Sequence, residues 1–115
     1  MVQKQEQNIF IGKNPRPENV EYIALEGYVR NVRPFKIFEN EDGKIYHTMC
    51  IMAAKKREEE KYTDVKVFMK TSKPPLFLLE PDVKLELFGY YFSNIFRAVK
   101  AKVIRFKDIE LNMLK

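Results

Sequence analysis

From Val20 onward the chain is a succession of short runs in which apolar and polar residues alternate, each run closed by turn-forming residues. Alternation with period two is the pattern of half-buried β-strands, and helical periodicity is all but absent. The first run, Glu21 to Val32, sets Ile23, Leu25, Gly27 and Val29 on one face against Tyr22, Ala24, Glu26, Tyr28 and Arg30 on the other. Gly27, on the apolar side, marks a bend or a close backbone approach. Beyond Pro34, Phe35 to Phe38 extends this strand to Asp42-Gly43, which supplies the positive φ that a tight hairpin needs. A second strand returns through Lys44 to Lys55, a charged tip follows at Lys56 to Lys61, and a third strand occupies Tyr62 to Lys70. Thr63, Val65, Val67 and Met69 form one face of the third strand, and Tyr62, Asp64, Lys66, Phe68 and Lys70 form the other.

Ser72 to Asp82 holds three prolines around Leu76-Phe77-Leu78-Leu79 and supports one helical turn capped by Ser72. The fourth strand, Val83 to Phe92, sets Val83, Leu85, Leu87, Gly89 and Tyr91 against Lys84, Glu86, Phe88, Tyr90 and Phe92. Ser93 to Arg97 reads as a hairpin loop, and the fifth strand begins near Ala98. Val99, Ala101 and Val103 point inward there, with Lys100 and Lys102 outward and a bulge before Ile104 and Phe106. The plan predicted is all-β: a five-stranded Greek-key OB-fold barrel over residues 20–112, with a short helical turn between strands three and four. Residues 1–19, polar and carrying Pro15 and Pro17, read as a mobile N-terminal arm. Its apolar knot, Ile9-Phe10-Ile11, has two other outcomes, pairing as an edge strand or packing on a neighbouring subunit.

Composition narrows the function classes. At 115 residues and 45% hydrophobic content the chain suits one domain, and nine Phe with six Tyr supply a core. A single cysteine excludes an internal disulfide and a Cys-based zinc cage, which points to a reducing, cytoplasmic setting. No apolar signal core and no membrane-length apolar run is present, so no membrane association is expected. His47 and Cys50 are the sole members of their types, and their odd offset sends them to opposite faces of a strand. No His pair, ligand-spaced carboxylate cluster or phosphate-cradling glycine loop occurs, so the expectation is a protein that is not an enzyme and takes no metal or cofactor.

A net charge of +5 favours polyanionic partners. A binder of single strands needs a positive groove that follows phosphates and flat π surfaces for unpaired bases. Tyr62, Lys66, Phe68 and Lys70 interleave both on one strand face. Tyr28 and Arg30 on the first strand, and Lys100 with Lys102 on the fifth, widen that surface. Lys55 and Lys56 at one loop base, and Phe92, Phe96 and Arg97 at another, sit where OB loops close around ligand. Taken singly, Tyr62 and Phe68 suit core or interface burial as well as they suit base stacking. Phe88 and Tyr90, with Phe92, form an aromatic strand face suited to a subunit interface.

Three successions carry a resemblance: Leu25-Glu26-Gly27-Tyr28-Val29, then Tyr62-Thr63-Asp64-Val65-Lys66-Val67-Phe68, then Val83-Lys84-Leu85-Glu86-Leu87-Phe88-Gly89. In order and spacing they resemble the bacterial single-stranded DNA-binding protein family over roughly residues 20 to 110. The resemblance implies base stacking by Tyr62 and Phe68 and a homodimer or homotetramer. The chain departs from the family in three places: prolines restrict its helix to a stub, Asp82 stands where a glycine is common, and Leu111 to Lys115 replaces the acidic tail. It therefore looks like a short form without tail-mediated recruitment. Two functions follow. One is sequence-tolerant binding of single-stranded DNA in replication, recombination or repair, with RNA as a variant that no residue here distinguishes. The other is an OB-fold adaptor of a replication or primosome complex that acts mainly through protein contacts.

Overall fold

The computed structural model describes residues 2–9, 19–41, 43–80 and 83–108. Seven strands are present: β1 (Val2–Ile9), β2 (Ile23–Val32), β3 (Lys36–Asn40), β4 (Gly43–Lys55), β5 (Thr63–Thr71), β6 (Val83–Phe92) and β7 (Ile95–Asp108). A 3-10 turn at Leu76–Leu79 is the helical element among the described residues, and no helix there is long and apolar enough to cross a membrane.

Strands β2, β4, β5, β7 and β6 pair in that order, and β6 pairs both β2 and β7, so the five close into a barrel. Every pairing is antiparallel except β5 with β7, which run parallel at Val67↔Phe96 and Phe68↔Arg97. This is the all-β, OB-type barrel that the alternation predicts, with β2, β4, β5, β6 and β7 as its five strands.

Inward residues alternate as the period requires. Leu25, Cys50, Met52, Val65, Val67, Met69, Leu85, Leu87, Phe96, Ala98, Ala101 and Val103 fill the interior. Phe77 and Leu78 of the 3-10 turn join that core, each contributing about 1.5–3 kcal/mol of burial. So small a barrel brings backbones into contact where a strand has no side chain. A Cβ on Gly27 would lie 2.0 Å from the Ala53 carbonyl oxygen, and one on Gly89 would lie 2.1 Å from that of Arg97. The close approach expected at Gly27 is present.

Four local readings change. The chain leaves the sheet at residues 33–35, so Lys36–Asn40 is not an extension of the first strand but a separate β3, paired only with β4 in a hairpin closed at Asn40↔Gly43. Pro34 has no N–H to continue the ladder, and the β2 register already shifts between Val29 and Asn31. Gly43 sits at φ 122°, the positive φ expected of it, while Asp42 lies outside the described residues. The helical turn is not capped by Ser72: it starts at Leu76 behind Pro75 without a side-chain cap, because Pro74 and Pro75 fix the approach.

The β6–β7 connection is not a loop reaching Arg97 but a two-residue turn, in which Ser93 and Asn94 both take positive φ (52° and 61°). β7 therefore starts at Ile95, and its bulge falls opposite Phe88/Gly89, before Lys100 rather than before Ile104. The bulge switches the inward set from Phe96 and Ala98 to Ala101 and Val103.

Fourth, Val2–Ile9 of the segment read as an arm is strand β1, antiparallel to β7 from Val2↔Asp108 to Ile9↔Ala101. β7 meets β5 at two positions only, which leaves the edge of its second half for β1. Phe10 and Ile11 of the knot, and residues 109–115, lie outside the described residues.

Candidate nucleic-acid interface

The outward residues of β4 and β5 form the face of interest. Register places His47 beside Lys70, Met49 beside Phe68, and Ile51 beside Lys66. Met49 and Ile51 are half-buried, an apolar floor between charged side chains. Phe68 lies at the centre. The His47 ring meets it edge-on at 5.4 Å between centroids, and the Arg97 guanidinium lies 5.5 Å from its centroid on the other side. Arg97 also sits 5.4 Å from the Phe92 ring, and Phe38 lies 4.3 Å from His47. The result is a stripe, Phe38, His47, Phe68, Arg97, Phe92, that crosses β3, β4, β5, β7 and β6 obliquely.

The two ends of the stripe, Phe38 and Phe92, are 51% and 54% exposed, so ring surface remains open to a ligand. Arg97 is fixed by the parallel pair Phe68↔Arg97, and its Nε is buried without a hydrogen-bond partner. Two aromatic faces compensate its charge instead. Burial first, and then the charges of Lys70 and Lys36, hold the His47 imidazole below its ordinary pKa.

A second aromatic pair lies near the start of β5. Tyr28 and Tyr62 pack at 6.2 Å with tilted rings, and Lys55 Nζ is 5.7 Å from the Tyr62 centroid. Six residues of strand separate Tyr62 from Phe68, about 20 Å. Between them Arg30 Nη1 donates to both carboxylate oxygens of Asp64 at 2.6 and 2.7 Å. A hollow of about 120 Å³, lined by Asn31, Arg33, Met49, Ile51, Lys66 and Ile95 among others, opens on the same face. Lys55 is committed elsewhere: it pairs with Glu26 at 3.0 Å and donates to the Glu59 carbonyl at 2.9 Å. Glu26 also meets Lys84 at 3.3 Å, and the hydrogen bond from Lys55, aided by Lys84, holds its carboxyl below the usual range.

The structure thus brings together Tyr28, Arg30, Tyr62, Lys66, Phe68, Lys70, Phe92 and Arg97, with Lys55 at the border. It separates the rest. Phe96 is fully buried in the barrel, so its expected contact with ligand is corrected: the tight turn draws it into β7 on the inward side, where Tyr91 packs edge-on against it at 5.3 Å. Tyr90 is 5% exposed, under the Tyr22 ring at 5.5 Å, and does not offer an interface surface; Phe88, stacked on Tyr22 at 5.6 Å, is partly open. Lys100 and Lys102 do not widen the β5 face. They lie on the β2–β6–β7 wall, where register sets Lys102, Glu86, Glu26 and Lys55 in one row and Lys100 opposite Phe88. Carboxylates interrupt the cations of that row. Lys56 sits half-buried in the β4–β5 loop, its backbone N–H 3.5 Å from a Glu59 carboxylate oxygen.

Sequence reasoning passed over Phe38, Lys36 and His47. The signal was present in the sequence, where Asp42-Gly43 announces a hairpin; the β3–β4 register, closed at Asn40↔Gly43, puts Lys36 and Phe38 on the face of His47. His47 and Cys50 point to opposite sides as expected, and burial pushes the Cys50 thiol up to about 12. Among the described residues no three His, Cys, Asp or Glu side chains gather as metal ligands. Compared with protein-family models, curated proteins and solved structures, the chain finds no match.

Proposed function

We propose that this chain binds single-stranded nucleic acid, DNA foremost, with little regard to sequence, and serves where strands are exposed in replication, recombination or repair. The observation that carries the reading is the stripe from Phe38 to Phe92, flanked by Lys36, Lys66 and Lys70. Every unpaired base has a π face that can stack on such rings, whereas a duplex keeps its faces covered. The lysines and the edge of the Arg97 guanidinium meet the phosphates, and the apolar floor of Met49 and Ile51 suits the flat sides of bases. Tyr28 and Tyr62 extend the path along β5. The resemblance of the strand successions to the bacterial single-stranded DNA-binding family belongs to the same proposal.

The test is fluorescence anisotropy with labelled oligothymidine, an RNA equivalent and duplex DNA. Replacing Phe68 with Ala costs about 1–3 kcal/mol of single-strand binding if the ring stacks, and the Tyr62/Phe68 double replacement abolishes it. Equal affinity for duplex, or single-strand affinity indifferent to both rings, refutes the proposal.

A further inference from the structure

His47 is the sole histidine of the chain, and it stands within the stripe rather than away from it. Its ring touches Phe38 on one side and Phe68 on the other. Its cross-strand neighbours are Lys36 on β3 and Lys70 on β5. Beyond Phe68 the next charge, on β7, is that of Arg97. The charges that bear on the imidazole, Lys70 and Lys36, are both positive. On β5 the one carboxylate, Asp64, is engaged by Arg30 and lies six residues from Lys70; on β3, Glu39 pairs in register with Lys44.

We propose that His47 couples strand binding to pH: a polyphosphate laid over this face draws one proton onto the imidazole, so the complex tightens as the medium is acidified. The proposal rests on the binding reading above and adds the regulation of that site. Its physics is linkage. Phosphates that neutralise Lys36 and Lys70 remove the repulsion that keeps a proton off His47, and they add attraction of their own. The imidazole then has a higher pKa in the complex than in the free protein. The extra affinity is fully present below the free-protein value and is lost as pH rises through the value in the complex.

One group takes up at most one proton, so log K against pH has a slope between 0 and −1. A pKa rise of about one unit tightens the complex up to about tenfold across the transition. With a single histidine, no other side chain of ordinary pKa titrates between about pH 6 and 8.

The experiment measures oligothymidine binding by anisotropy from pH 6 to 8 at constant ionic strength, for the native chain and for His47→Gln. Thymine does not titrate in this range. The native chain is expected to bind several-fold tighter at pH 6 than at pH 8, and His47→Gln to show a flat profile. A parallel NMR titration of the His47 ring protons in the native chain, free and bound, needs no variant to fold and is expected to give a higher pKa in the complex. A native profile that is flat, a slope that persists in His47→Gln, or an imidazole pKa unmoved by oligonucleotide overturns the proposal. Each of these outcomes leaves binding itself intact. Absence of binding at every pH defeats the binding reading first and this one with it.

Discussion

Asp64 gives the binding proposal its sharpest test, because its replacement strengthens the activity. The carboxylate lies on the outward side of β5, the one proposed to face phosphates, and occupies Arg30 through two contacts of 2.6 and 2.7 Å. Both side chains are well exposed, 60% and 57%, so the pair contributes only about 0.2–1 kcal/mol to stability. Asp64→Asn keeps the shape, removes the charge and frees Arg30. Unit charges about 7 Å apart interact by about 0.6 kcal/mol in water and more where solvent is partly excluded. Removing the repulsion between Asp64 and a nearby phosphate therefore tightens binding about three- to fivefold, taking 0.6–1 kcal/mol as the range for an exposed face.

The salt dependence changes in step. On the proposal, Lys36, Lys66, Lys70 and Arg97 would neutralise about four phosphates, a slope of log K on log salt near −2.8 for single strands; adding Arg30 would make it about −3.5. Anisotropy titrations at four salt concentrations read both quantities, and Arg30→Ala in the Asp64→Asn background returns them to the starting values. If Asp64→Asn binds no tighter and leaves the slope unchanged, phosphates do not pass this part of β5.

Four further outcomes follow from the same coordinates. Lys66→Gln with Lys70→Gln weakens oligothymidine binding at least tenfold, whereas Lys100→Gln with Lys102→Gln, on the wall where Glu86 and Glu26 stand between the lysines, changes it less than twofold at about 0.15 M salt; equal losses would place the path elsewhere. Gly27→Ala pushes a methyl against the Ala53 backbone and costs about 3 kcal/mol or more, a fall in Tm of about 10 °C or more by calorimetry, and a shift under about 2 °C would mean that the barrel yields there freely. Cys50, with its thiol pushed up to about 12, stays unreactive to a disulfide reagent at pH 8 until urea unfolds the chain; prompt labelling of the native protein contradicts its burial. Glu26, whose carboxyl is held below its ordinary 4.5 by Lys55 and Lys84, stabilises the fold above that value and ceases to do so as pH falls through its lowered folded value. Urea midpoints therefore fall less for Glu26→Gln than for the native chain between pH 5 and 3, and parallel losses would deny the lysines this role.

Most of the barrel was legible because period-two alternation survives wherever one face of a strand is buried. Leu25 and Gly27, Val65 to Met69, and Val83 to Leu87 all lie inward as their spacing says. The reading failed where the phase slips. A bulge before Lys100 leaves no mark in composition, and the short turn at Ser93-Asn94 carries none of the usual glycine, so Phe96 was assigned to the wrong side. On the candidate face, Tyr62, Lys66, Phe68 and Lys70 could be read because they share one strand. Their union with Arg97, Phe92, His47 and Phe38 could not, since it depends on which strands become neighbours. β1 illustrates the same limit: a polar stretch finds its place through an edge that β7 leaves open, a property of the sheet and not of the stretch.

The parallel seam between β5 and β7 also bears on how the protein is made. Hairpins β3–β4, β4–β5 and β6–β7 join residues near in the chain, whereas Val67 and Phe96 stand twenty-nine positions apart (67 to 96) and rely on two rungs. Distant pairings of this kind form late, after their loop-closure entropy has been met. An intermediate with all three hairpins in place would carry Phe68 without the guanidinium beside it, and hence only half a platform. On the binding proposal, competence to hold a strand therefore waits on the closing of this seam, and a bound oligonucleotide would act as a latch that selects the finished molecule over such precursors.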